Sequence, residues 1–492
     1  MNSSEEGPSE GAASETGAQG AGRQAAYRQL PGVDEVLRLA RVAKLAAGTG
    51  RDELTRLVRG ALDGLRREIS EGRLDAASLA ERLGADELAG RVEALFLSER
   101  KQGVQRVINA TGVVLHTGLG RAPVHPEVAA RMAAVASGYC VLEVERASGE
   151  RNQRDARLSR LLQRLTGAEA AIAVNNNAAA VFLCLQTFAA GREAITSRGE
   201  LVEIGGSFRV PDVMTRAGAE LREVGTTNRT RLADYRDAAS ERTGLLLKVH
   251  TSNFKQVGFT EEVSMEELAG LGRELGVPTV FDLGSGLFEG AGLTPLEGLG
   301  SETVVQAAVA SGLDLVTFSG DKLFGGPQAG VIVGKRAQVA ALRANPVYRA
   351  LRLDKTTLAG LEGTLQLVVD GRGDEIPTRR LLRRGAAGLE EVAKALAARL
   401  DAIPGLSASI RADHSQPGSG SAPDVLLDTW AVELRADAHG PDALARRLRL
   451  GEPSVFTRIQ EGAVLVDPRT LLEGEEDALV GACEAVLGAG AG

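Results

Sequence analysis

Aromatic residues make up only 3% of this chain, with a single tryptophan. Its core must therefore rest on Leu, Val, Ile and Ala, and surfaces that stack bases on rings have few residues to draw on. Cysteine is as scarce. Cys140, Cys184 and Cys483 form no C-x-x-C pair, which argues against a disulfide framework or a metal site such as zinc and fits a reducing cytoplasm. No apolar run reaches the roughly 18 to 20 residues that span a bilayer. The N-terminus also lacks the basic-then-apolar order of a signal peptide, so no membrane partner is expected. A basic excess is missing too: the formal net charge is −8, so any polyanionic partner must meet local patches such as the arginines of residues 379–384.

What is abundant is small and apolar. With 492 residues, 43% of them hydrophobic, two or three domains are expected. Residues 1–29 are mostly Gly, Ser, Ala and Glu, a composition that cannot offset the entropy of folding, and are expected to be a disordered tail. Residues 30–103 change to helical spacing, in Leu54, Leu57, Val58, Ala61 and Leu65 and again in Leu79, Leu83, Leu88 and Val92, and predict a small all-helical domain. Over 104–370 short apolar strands (170–174, 193–196, 245–250, 279–282, 313–318) alternate with helices such as 178–188 and 265–275. That order predicts an α/β domain with a mostly parallel central sheet covered on both faces, and ligands at the carboxyl ends of its strands. Residues 371–492 read as a small α+β domain, with helices at 386–400 and 441–448 and strands at 425–427 and 463–466.

The most informative stretch is 313–330, LDLVTFSGDKLFGGPQAG, which places Lys322 where an apolar strand breaks into a glycine-rich turn. A partly desolvated lysine loses some of its charged form and becomes a nucleophile toward a carbonyl cofactor, for which pyridoxal 5′-phosphate (PLP) is the natural candidate. The alternative, a solvated lysine in a surface turn, is weakened by what lies upstream. PLP needs backbone donors for its phosphate, and Asn175-Asn176-Asn177-Ala178 stands between a strand and an Ala-rich helix, where exposed amides and the helix dipole favour an anion. That run could equally be a polar loop that caps its helix. Ser319 could add a hydroxyl. The ring nitrogen needs a carboxylate to stay protonated, and Asp282 closes the apolar strand PTVFD, where a charge is costly without a cationic partner. His250, ending LLLKVH, could stack on the ring or handle a proton, or could simply be hydrogen-bonded.

VINATGVVLHTGLGRAP (107–123), SRGELVEIGGSFRVPDVM (197–214), VHTSNF, SGDKLFGGPQAGVIVGK and NPVYRALRLDK (345–355) together resemble the bacterial selenocysteine synthases, the L-seryl-tRNA(Sec) selenium transferases, from about residue 30 onward. The resemblance implies a PLP-dependent transferase of fold type I that makes selenocysteinyl-tRNA(Sec) from seryl-tRNA(Sec) and selenophosphate. It implies that Lys322 carries PLP with Asp321 beside it, and that Arg121, Arg349 and Arg352 form the anion pocket for the selenium donor. Arg349 and Arg352 are three apart, which on a helix puts them on one face. The resemblance also implies tRNA recognition by the helical N-terminal domain and a homo-oligomer, a decamer. Charge does not mark that domain, since residues 31–100 hold 12 Lys+Arg against 13 Asp+Glu. Rival readings are a PLP-dependent lyase or transferase of the same fold acting on a small amino acid or amino-sugar acid, and a catalytically idle tRNA-binding scaffold.

Overall fold

The computed structural model describes residues 23–74, 79, 82–100, 103–204, 208–300, 302–418 and 420–488. The chain divides into two compact units, residues 1–106 and 107–492. Among the described residues no helix is long and apolar enough to cross a membrane.

The first unit is helical. Helices Val33–Leu37, Ala40–Leu45, Arg51–Ser70 and Ala85–Arg100 surround a core of Val36, Val42, Leu54, Val58, Leu62, Leu65, Leu88 and Val92. The apolar positions recur at three and four residues, so each helix turns one stripe inward. The tail expected to be disordered as far as residue 29 is helical from residue 23, because Ala26 is fully buried in this core and Leu30 packs against it. The remainder of that expected tail, residues 1–22, lies outside the described residues.

The second unit is built on a seven-stranded sheet. In chain order its strands are β1 (Ala170–Val174), β2 (Glu193–Ser197), β3 (Glu220–Val224), β4 (Thr243–Val249), β5 (Thr279–Gly284), β6 (Leu315–Ser319) and β7 (Gly330–Gly334). They lie side by side in the order β1-β7-β6-β5-β4-β2-β3, all parallel except β7, which runs antiparallel to both β1 and β6. Side chains alternate across a strand, so the sheet feeds two cores. Ala171, Ala173, Leu246, Phe281, Val316, Phe318, Val331 and Val333 face one, under helices Ala156–Thr166, Met265–Leu275 and Lys355–Val369. Ile172, Val174, Leu245, Leu247, Val280, Leu315 and Ile332 face the other, under helices Asn177–Phe188, Val210–Arg216 and Arg336–Ala344.

A second sheet joins Arg458–Gln460, Ala463–Val466, Leu427–Ala436, Leu406–Gly418 and Val113–Leu115, backed by helices Ala386–Asp401, Pro441–Leu450 and Glu475–Gly488. The strand expected at 425–427 begins at Leu427 and runs to Ala436; residues 422–425 form a turn in which the Val425 amide donates to the Ala422 carbonyl. Val113–Leu115 pairs with Gln416 and Gly418, and Ile108–Asn109 pairs with Val455–Phe456. The segment 108–115 thus joins the C-terminal sheet through these two pairings.

Candidate active site

Four strand ends converge at one edge of the main sheet: the carboxyl ends of β1, β4, β5 and β6. Lys322 follows β6 and is 7% exposed. Its Nζ donates to the carbonyl of Gly420, 3.2 Å away. Asp282, third from the end of β5, is 5% exposed; its Oδ1 accepts from Asn177 Nδ2 at 2.6 Å and from Thr317 Oγ1 at 3.3 Å. Thr317 is its register partner on β6, so the sheet itself delivers that bond. Lysine and aspartate face a common space. A Cβ placed on Gly284, where φ is +73°, would lie 3.7 Å from Lys322 Nζ and 3.9 Å from Asp282 Oδ1.

Burial acts on these two groups in opposite directions. It pushes the Asp282 carboxyl above the usual carboxylate range, against the pull of Asn177, Lys322 and Thr317. It pushes the Lys322 amine below the usual lysine value, against the attraction of Asp282. Both shifts favour neutral forms until a cationic partner arrives for the acid and an electrophile for the amine. The other buried lysine of this region is different. Lys248 on β4 donates to Glu200 at 3.2 Å, Glu262 at 3.3 Å and the Val263 carbonyl at 2.9 Å. Burial opposes its charge, but these carboxylates outweigh burial and raise its pKa, so it is a tether and not a nucleophile.

The asparagine run divides its work. The Asn175 amide is committed to the Leu351 carbonyl at 3.0 Å, and the Asn176 side chain caps the helix by accepting from the Ala179 amide at 2.9 Å. Asn177 and Ala178 open the helix Asn177–Phe188, whose first amides have no partner inside the helix. The amides of Asn177 and Ala178 are thus the ones at the helix start open to an anion, while the Asn175 amide is committed and Asn176 acts as the cap. Ser319 ends β6 opposite Gly330, 7% exposed, on the same edge.

His250 follows β4, its amide bonded to the Asp282 carbonyl at 2.9 Å. Its Nε2 lies 3.3 Å from Oε1 of Glu302, a carboxylate that sequence reasoning did not single out. Glu302 Oε2 accepts from the Ala422 amide at 3.0 Å. Burial alone would raise this carboxyl, yet His250, Ser285 and the Ala422 amide bring it below the usual range. A cavity of about 470 Å³ opens beside these groups, with His250, Phe254, Gln256, Glu302 and Ala422 in its wall. Nothing in the local sequence around Glu302 or Gly420 marks them. Thr317 was readable in principle, as the residue of β6 in register with Asp282.

The three arginines are held in separate ways. Arg121 sits in a left-handed turn at φ +58° and donates to Asp321 Oδ2 at 2.8 Å, beside the lysine. Arg349 is exposed in the last turn of the short helix Pro346–Leu351. Arg352 is not on that helix: it caps the end in an extended conformation and bridges Val174 at the end of β1. The shared helix face expected for Arg349 and Arg352 is thus absent, because the helix stops at Leu351. Arg352 reaches Glu143 at 3.2 Å, which also pairs with Arg154.

A lysine and an acid facing each other across the carboxyl edge of such a sheet, with a helix N-terminus nearby for a phosphate, define a PLP-dependent enzyme of fold type I. The fold is shared with D-glucosaminate-6-phosphate ammonia-lyase, whose structure aligns with a TM-score of 0.54 at 23% identity over 80% of this chain and 99% of that one. Sequence comparison narrows the class. The chain belongs to the L-seryl-tRNA selenium transferase family, whose model matches residues 107–472, while the selenocysteine synthase N-terminal model matches residues 27–66. The L-seryl-tRNA(Sec) selenium transferase of Geobacter sulfurreducens is 47% identical over 93% of this chain and 98% of its own length. That of Aquifex aeolicus is 49% identical over 77% of this chain and 84% of its own.

Proposed function

We propose that this enzyme converts L-seryl-tRNA(Sec) to L-selenocysteinyl-tRNA(Sec) with PLP held at Lys322 and selenophosphate as selenium donor. The observation that carries the reading is the buried Lys322 amine facing Asp282 across Gly284, in a chain whose relatives bear this activity along nearly their whole length. The match of residues 27–66 to the selenocysteine synthase N-terminal model favours a tRNA substrate over a small amino acid.

The residues present fit PLP. Asn177 and Ala178 would hold its phosphate, Ser319 would add a hydroxyl, Asp282 would hold the ring nitrogen and Lys322 would take the aldehyde. His250 would lie against the ring. When bound, PLP supplies an electron-withdrawing ring that stabilises negative charge at the substrate's α-carbon. The Lys322 amine is the base placed to take the α-proton, and burial, by lowering its pKa, suits it to that task. Asp282 would accept from a protonated ring nitrogen and so hold that proton in place. The seryl β-hydroxyl departs with a proton as water, and the selenium of selenophosphate adds with a proton to the β-carbon, its P–Se bond breaking as the phosphoryl group passes to water and leaves as phosphate. Arg121, Arg349 and Arg352 bind the anionic donor, with Asp321 orienting Arg121 through their ion pair. The helical unit recognises the tRNA through shape and local arginines, and the protein works as a cytoplasmic homo-oligomer, a decamer.

The test offers seryl-tRNA(Sec), seryl-tRNA(Ser) and free serine to the PLP-loaded enzyme with selenophosphate. Selenium is expected on the first alone. Selenium on free serine, or on no substrate, would sink the reading. Lys322→Ala should lose the visible absorbance of lysine-bound cofactor, and with it turnover by several orders of magnitude.

A further inference from the structure

The carboxylate of Glu302 belongs to no strand or helix, yet it is the point where three segments meet. Its side chain is 2% exposed. One oxygen lies 3.3 Å from His250 Nε2, an ion-pair approach in which neither buried atom completes a well-aligned hydrogen bond. The other oxygen takes the Ala422 amide at 3.0 Å. Ala422 is held at φ +45°, a conformation that alanine rarely adopts and that persists only where neighbours enforce it. Two residues earlier, the Gly420 carbonyl takes the hydrogen bond of Lys322 Nζ. The 420–422 turn is thus fastened to the reactive amine at one end and to Glu302 at the other.

We infer that Glu302 is a positioning residue for the reaction: its carboxylate clasps the 420–422 turn onto Lys322 and sets the imidazole of His250 at the same time. The inference rests on the PLP site proposed above but not on the identity of the amino-acid substrate or the selenium donor. A carboxylate suits the role because one oxygen accepts from the Ala422 amide while the other places negative charge 3.3 Å from the imidazole Nε2.

The test uses the full-length, PLP-loaded protein with no tRNA present. In Glu302→Ala, hydrogen exchange at the Ala422 amide should quicken by about tenfold or more, and the visible circular dichroism of bound PLP should lose intensity. Glu302→Gln keeps an acceptor for the amide and should restore slow exchange. Exchange unchanged in Glu302→Ala, a cofactor signal unchanged despite faster exchange, or no difference between the two variants would overturn the inference. Should Glu302→Ala fail to fold, Glu302→Asp is read by the same two signals, since a side chain one methylene shorter cannot span both partners. A wild-type enzyme that binds PLP but leaves seryl-tRNA(Sec) unchanged would refute the substrate assignment while leaving this test intact.

Discussion

At the scale of single residues, the site is stabilised for its chemistry at the expense of the empty protein. Asp282 is the clearest case. A carboxyl whose folded pKa is raised binds its proton more tightly folded than unfolded, so stability falls as pH rises from the ordinary carboxylate range through the raised value. PLP-free Asp282→Asn should therefore melt at a higher temperature than PLP-free wild type at pH 7, with the gap narrowing as pH falls into the ordinary carboxylate range. The same variant should lose turnover, since an amide cannot hold a cationic ring nitrogen. An unchanged melting temperature at pH 7 would mean that the burial cost is met by partners already present. Gly420 makes a second residue-scale case. At φ +76°, a Cβ there would lie 2.5 Å from Lys322 Nζ. Gly420→Ala should cost about 1–2 kcal/mol in unfolding free energy from the left-handed backbone. Displacing the amine should cost more in function, a fall in kcat/KM of about a hundredfold.

Much of this was readable from the sequence, and what was not shares a cause. Lys322, Asp282 and His250 each end an apolar run that can only be a buried strand, so their placement at one edge follows from periodicity. Glu302, Gly420 and Ala422 enter the site through contacts over long sequence separations, Gly420 being 98 residues from Lys322. No local pattern encodes such a meeting. Arg349 and Arg352 show the opposite error: a local rule, the three-residue helical spacing, was applied one residue beyond where the helix stops.

At the scale of elements, the segment that carries these arginines is pinned from outside. Asp155, 1% exposed, accepts from both ends of the Arg343 guanidinium, at 2.7 and 3.0 Å, and from the Tyr348 hydroxyl at 3.0 Å. It ties helix Arg336–Ala344 to helix Pro346–Leu351 and so fixes where Arg352 leaves the second helix. Replacing Asp155 with Ala would strand a half-buried guanidinium and a buried phenol. A loss of about 2–3 kcal/mol is expected, reduced from the fully buried case because Arg343 keeps some solvent. Denaturant titration would measure it, and a loss below about 0.5 kcal/mol, the level of a surface pair, would show the tie to be incidental.

At the scale of the molecule, two units with separate cores divide the sequence at residue 106. Removing residues 1–100 leaves both faces of the main sheet covered, so the truncated protein should still bind PLP and show its absorbance. Its affinity for seryl-tRNA should be lost, as measured by filter binding or fluorescence anisotropy. Unchanged affinity would move tRNA recognition to the catalytic unit.

The reversed strand β7 has an effect on how such an enzyme can diversify. Because β7 returns beside β6, the lysine rides on a hairpin whose two legs are locked together from Ser319 and Gly330 down to Leu315 and Gly334. Insertions there would unzip the sheet, so the amine is mounted on the least adjustable part of the scaffold. The facing turn at 420–422 lies outside that hairpin and is held instead by the bonds of Gly420 and Ala422. New substrates are accommodated most cheaply by changing this outer jaw around those two bonds, while the anvil beneath it stays fixed.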